Sequence, residues 1–114
     1  MAGTLDRAAL EAVARLFAVL AEPTRLALLQ ALRDGPRAVS ELGEELGAKQ
    51  ANVSKQLGVL HAAGLLGRAR DGNVVRYSIA EPMIFELCEL VCGKLRRDAE
   101  RQLGALGPAP KRRR

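Results

Sequence analysis

At 114 residues the chain has the length of one compact domain, which excludes a two-domain enzyme. Its 48% hydrophobic and 27% charged residues exclude general disorder, and no apolar run approaches the ~18 residues of a membrane span. Eighteen Lys+Arg against 13 Asp+Glu leave a net charge of +5, while two Phe, one Tyr and no Trp exclude a base-stacking platform, so the anionic partner favoured is duplex DNA.

Between residues 6 and 20, Leu10, Val13, Phe17 and Leu20 recur at three and four residues, the spacing of one helical stripe. Asp6, Arg7, Glu11 and Arg15 interrupt the same segment, so it does not read as a cleavable leader and a cytoplasmic location is expected. Glu22-Pro23-Thr24 restarts the chain, since proline fits the first turn of a helix and not its interior. Leu26, Leu29 and Leu32 then form a second apolar face, which Asp34-Gly35-Pro36 ends. A short third helix is predicted over 39–46, with Ser40 as its N-cap and Leu42 and Leu46 inward.

A fourth helix is predicted over 50–63, with Val53, Leu57 and Leu60 as its buried seam. Its other side carries Gln50, Ala51, Asn52, Ser54, Lys55 and Gln56, a polar and lightly charged face suited to base edges and phosphates. Two runs of strand character, 65–70 and 74–79, flank Asp71-Gly72-Asn73, a hairpin signal because the turn tolerates positive φ. Arg68, Arg70 and Arg76 charge this hairpin, and Asn73 sits at its tip. These four join the helix-four residues in the expected DNA-contacting set. From Pro82 a long last helix is predicted to 103 or 106, with Ile84, Leu87, Cys88, Val91, Leu95 and Ala99 along one side. Such a stripe exceeds what one small core needs, so Leu10, Val13, Phe17, Ile84, Leu87, Val91 and Leu95 are expected to bury against a second copy. The expected organisation is one domain over 1–106 and a solvated basic tail over 107–114.

Three helices, a recognition-type helix, a basic hairpin and a final helix make a winged helix-turn-helix, mainly α with a small β-hairpin. At this point the chain resembles the ArsR/SmtB family of bacterial transcriptional repressors. The resemblance is carried by Leu20-Ala21-Glu22-Pro23-Thr24-Arg25-Leu26-Ala27-Leu28-Leu29, Ser40-Glu41-Leu42, Asn52-Val53-Ser54-Lys55-Gln56-Leu57 with Leu60, Ala63-Gly64-Leu65-Leu66 and Arg76-Tyr77-Ser78-Ile79. It implies a homodimer paired through its first and last helices, bound to an operator and released by an inducer. Two-fold symmetry implies an operator with an inverted repeat. The arsenic sensors of the family carry Cys-x-Cys after a Glu-Leu in the third helix, where this chain has Gly43 and Glu45. Its zinc sensors use Asp and His on the last helix, whereas the single histidine here is His61, read as an ordinary helix residue.

Cys88 and Cys92 remain, and residues at i and i+4 share a helix face. In the family's dimer the last helices run near each other, so two copies bring up to four thiols together, a set that suits Zn or Cd, while fewer suffice for As(III). Oxidation or persulfidation of the same thiols is the other sensor chemistry, and packing as small hydrophobes is the alternative to both. Catalysis fails on inventory, since one histidine on another helix leaves a nucleophilic cysteine without a base. A winged helix serving as a protein- or RNA-interaction module is the competing class.

Overall fold

The computed structural model describes residues 4–105. The basic segment 107–114, expected as a tail, lies outside the described residues. The chain divides into two compact units, Met1–Glu81 and Pro82–Arg114.

The first unit begins with α1 (Arg7–Leu20), capped by Asp6, whose Oδ1 accepts from the Ala9 amide at 2.9 Å. Glu22 does the same for α2 (Pro23–Ala31), accepting from the Arg25 amide at 3.0 Å, with Pro23 in the first turn where no amide is needed. β1 (Arg37–Ala38) leads into α3 (Val39–Leu46). Ser40 is not the N-cap expected. Ala38 holds that position, and its amide donates to Glu41 Oε1 at 2.8 Å, because pairing of β1 with a later strand keeps the backbone extended up to Ala38. α3 ends at Gly47, whose φ of +63° is the left-handed conformation that glycine adopts without strain. α4 (Gln50–Ala62) follows after the short turn.

The hairpin strands are β2 (Leu66–Asp71) and β3 (Val74–Ile79), paired from Leu66 with Ile79 to Asp71 with Val74. Gly72, with φ +66°, takes the first of the two turn positions. β1 adds to the free edge of β3, so the sheet has three antiparallel strands in the order β1-β3-β2 rather than the two expected. Leu28, Leu29, Leu32, Leu42, Val53, Leu57, Leu60, Leu65, Leu66 and Tyr77 are buried and make the core of this unit. Each fully buried Leu stabilises by roughly 1.5–3 kcal/mol. α4 packs against α2, α3 and β2.

Among the described residues the second unit is one helix, α5 (Met83–Ala105). Asp98 pairs with Lys94 one turn before it and with Arg101 at 3.4 Å. No helix among the described residues is long and apolar enough to cross a membrane.

Candidate nucleic-acid interface

On α4 the seam Val53, Leu57 and Leu60 is fully buried, which turns Gln50, Ala51, Asn52, Ser54 and Lys55 to solvent. Gln56 departs from the expected set. It is only 9% exposed, and its Oε1 accepts from Arg25 Nη1 at 2.7 Å while its Nε2 donates to Asn52 Oδ1 at 3.2 Å. Its position explains this: with Val53, Leu57 and Leu60 it completes an i, i+3, i+4, i+7 pattern, the inward quarter of a helix. That pattern is legible in the sequence and marks Gln56 as a residue facing the protein.

Arg25 is the residue that sequence reasoning missed. From the first turn of α2 its Nε donates to the Val19 carbonyl at 2.6 Å and its Nη2 to the Ala18 carbonyl at 3.4 Å, while Nη1 reaches Gln56. It thereby ties the last turn of α1 to α4. A long cation in a segment otherwise rich in Leu and Ala is the signal that could have found it.

The hairpin separates its arginines. Side chains alternate across a strand, and residues directly opposite in the ladder share a face. Arg68 stands opposite buried Tyr77 and Arg70 opposite Val75, whereas Arg76 stands between Ala69 and Ala38. Arg68 and Arg70 therefore lie on the side turned to α4, where they line an open groove of about 540 Å³ with Val39, Ser54, Val75 and Tyr77. Arg76 lies on the other side, 3.8 Å from Glu41 Oε1, in a cluster where Arg37 also pairs with Glu41 at 3.8 Å and with Glu45 at 2.6 Å. Of the three arginines expected in the DNA-contacting set, strand alternation therefore puts Arg76 on the face opposite Arg68 and Arg70, with an acidic partner. Asn73 is exposed in the turn and lines a smaller groove of about 260 Å³ with Ser40, Gln50, Ser54, Val74 and Val75. Ser54 beside two arginines gives the larger groove a lining suited to a polyanion. His61 meets Tyr77 edge-on, ring centroids 6.4 Å apart.

The residues expected at a dimer surface divide in two. Leu10, Val13 and Phe17 on α1 are exposed, as are Val91 and Leu95 on α5, and Leu87 is half-buried. Ile84 is fully buried and leaves no surface to offer a second copy, and Leu20 is buried as well. Among the thiols, Cys88 is half-buried and Cys92 exposed, and both are free. No group of three or more His, Cys, Asp or Glu able to hold a metal ion occurs among the described residues.

A family model described as a helix-turn-helix domain matches residues 20–67. The HTH-type transcriptional regulator Rv0081 of Mycobacterium tuberculosis is 45% identical over 75 residues, 65% of this chain and 66% of that protein. Its crystal structure matches with a TM-score of 0.76 at 36% identity, covering 86% of this chain and 99% of that one. The solution structure of the homodimeric winged helix-turn-helix DNA-binding domain of Mb0332 from Mycobacterium bovis, described as a possible ArsR-family regulator, matches with a TM-score of 0.69 at 35% identity, covering 83% and 90%. The chain belongs to the ArsR/SmtB family. As a member of that family it stands among DNA-binding transcriptional regulators and not among enzymes. A further relative, the probable mercury resistance operon repressor of Streptomyces lividans, is 40% identical over 80 residues, 70% of this chain. The match spans 66% of Rv0081 and 64% of the Streptomyces repressor, just under two thirds of each.

Proposed function

We propose that the chain is a homodimeric repressor that binds a duplex operator and is released by thiol chemistry at Cys88 and Cys92. The observation that carries the DNA half is the groove in which Ser54 of α4 and Arg68 and Arg70 of β2 line one cavity beside the exposed Gln50, Asn52 and Lys55. Polar side chains of the helix read base edges, and the two arginines hold phosphates or enter the minor groove beside them. Leu10, Val13 and Phe17 of α1 and Val91 and Leu95 of α5 supply the apolar surface for a second copy, which gives the operator an inverted repeat with half-sites ~10 base pairs, or a multiple, apart.

Cys88 and Cys92 share a face of α5 with Val91 and Leu95, the i, i+3, i+4, i+7 positions of one stripe. A pairing surface there gives each thiol a counterpart in the second copy. Two thiols per chain do not complete a tetrahedral Zn or Cd site, which takes four ligands, so that geometry is reached across the dimer. A trivalent metalloid or a mercuric ion needs fewer soft ligands, and an oxidant or persulfide needs none besides sulfur. The name of the Streptomyces relative, a mercury resistance operon repressor, supports the soft-ion form.

Selection of duplexes from a random pool, followed by a gel shift of the selected duplex against a scrambled one, tests the DNA half. A preference of ~10³-fold or more for the selected site is expected. Equal binding to both, or binding to neither, overturns it in favour of a protein- or RNA-binding winged helix. Release of the selected duplex by Cd(II), As(III) or diamide, lost in the Cys88→Ser, Cys92→Ser protein, tests the sensor half.

A further inference from the structure

The hydrogen bonds from Arg25 through Gln56 to Asn52 run in one direction only. A guanidinium has five N–H donors and no acceptor. The Gln56 atom 2.7 Å from Arg25 Nη1 must therefore be oxygen, since an amide nitrogen there would set donor against donor. The other end of the Gln56 amide is then nitrogen, and the Asn52 atom 3.2 Å from it must be the acceptor Oδ1. With Gln56 buried and Arg25 held by the Val19 and Ala18 carbonyls, neither amide is free to turn without breaking a bond.

We infer that Arg25 and Gln56 are positioning residues that fix the polarity of Asn52, so that this exposed side chain offers its Nδ2 donors to DNA while its oxygen is engaged inward. The inference rests on the DNA-binding function proposed above and adds the class of base edge that Asn52 reads. An asparagine free to rotate pairs with adenine through both amide atoms, accepting from N6 and donating to N7. The Asn52 Oδ1 has two lone pairs, but its bond to buried Gln56 draws that oxygen toward the protein, and the adenine pair needs both amide atoms turned outward, which breaks the relay. Asn52 reads acceptors instead: guanine O6 and N7, or thymine O4. A phosphate oxygen has the same acceptor chemistry, and the experiment separates the two.

Gln56→Glu reverses the relay with little change of shape. A carboxylate accepts from Arg25 as well as the amide did, yet it has nothing to donate to Asn52. The Asn52 amide must then turn its Nδ2 inward and its Oδ1 outward. Duplexes are selected from a random pool with the wild-type full chain and with Gln56→Glu, and every duplex is titrated against both proteins and against Asn52→Ala. The expected result is a guanine or thymine at one position of each wild-type half-site that becomes adenine or cytosine, the bases with exocyclic donors, in the Gln56→Glu selection. Gln56→Glu should bind the wild-type duplex about tenfold more weakly, a loss within the range of one base contact. Asn52→Ala, made in the wild-type chain and again together with Gln56→Glu, should abolish the preference at that position in both. A purely structural role for Gln56 predicts a uniform loss on all duplexes and no change of base, which overturns the inference. So does a Gln56→Glu preference that survives Asn52→Ala.

If Gln56→Glu fails to fold by thermal melting, the Asn52→Ala protein decides alone. Loss of discrimination between guanine and 7-deazaguanine, or between thymine and cytosine, at one position upholds the inference. An unchanged base profile, with affinity lost only where methylphosphonate has not already replaced a phosphate, overturns base reading by Asn52. Failure of the wild-type chain to enrich any duplex defeats the proposed function itself and the inference with it, and is distinguished by the absence of a selected site.

Discussion

α4 and α5 are built from similar material and finish differently. Both carry apolar residues at helical spacing. On α4 the stripe Val53, Leu57 and Leu60 is fully buried, and a polar face is left outside. On α5 Ile84 is buried and Leu87 half-buried, but the later apolar residues remain outside: Leu90 is 72% exposed, Leu95 59%, and Val91 and Leu103 are exposed too. α4 is satisfied within one chain, so its exposed face is free to be polar, as the proposed DNA contact requires. α5 leaves several Leu and Val uncovered in the single chain, and a contiguous apolar surface of that kind is what a second copy is proposed to bury. Helical periodicity alone marks a stripe. What distinguishes core from interface is whether the single chain supplies the cover.

The largest effect should come from the satisfied helix. Leu57→Ala removes a side chain with no exposed surface and is expected to cost about 2–5 kcal/mol of unfolding free energy, read by chemical denaturation. A cost under ~1 kcal/mol would mean that α4 is not the centre of the core. The contrasting variant is Val91→Glu with Leu95→Glu on α5. Two charges on already exposed positions should leave the folded chain's secondary structure intact, while sedimentation at micromolar concentration shifts from dimer to monomer. A dimer that survives both charges breaks the comparison, since the exposed stripe of α5 would then not be the covered one.

The helices and the hairpin were legible because each has a local cause: Asp6 and Glu22 as caps, Pro23 in a first turn, Gly47 and Gly72 where φ is positive. β1 was not legible, because two residues cannot show an alternation and Arg37 and Ala38 become a strand only when β3 is beside them. Residue type marks the exposed polar face of α4 at Gln50, Asn52, Ser54 and Lys55, yet it misplaces Gln56, which its position in the seam turns inward. Arg25 carries no motif that ties it to Gln56 at a separation of 31 residues. Tertiary pairing decides such residues, and a single sequence holds no record of it. Arg76 is an intermediate case, since its charge is plain in the sequence while the Glu41 beside it follows from the register of β3.

That case gives a smaller and sharper contrast within one hairpin. Arg70→Ala and Arg76→Ala each remove one positive charge from neighbouring strands. Arg70 lines the groove beside Ser54, so its loss should weaken binding to all duplexes and reduce the slope of log affinity against log salt by about 1. Arg76 faces Glu41 across an exposed pair, which contributes about 0–1 kcal/mol to stability. Its removal should leave the salt slope unchanged and act, if at all, on the melting temperature. Equal slopes for the two variants would cancel the distinction between the faces, and a larger slope change at Arg76 would reverse it.

The smallest change in basal behaviour is expected at the thiols. Cys88 and Cys92 lie on α5, outside the unit that holds α4 and the hairpin, and neither is fully buried. Cys88→Ser with Cys92→Ser should therefore bind the selected duplex within about twofold of wild type under reducing conditions, a difference below ~0.5 kcal/mol. Any effect of a ligand at these sulfurs must come from different affinities for the DNA-bound and the released dimer, because a ligand that binds both forms equally shifts neither. The double variant removes that difference and should hold the duplex when Cd(II), As(III) or diamide is added, while wild type lets go. Reversal by a chelator assigns the response to an ion, and reversal by dithiothreitol after diamide, with no ion present, assigns it to oxidation. Release of the double variant at the wild-type concentration of the same reagent would return both cysteines to the apolar stripe as packing residues. It would also leave α5 with one proposed role, that of pairing with a second copy.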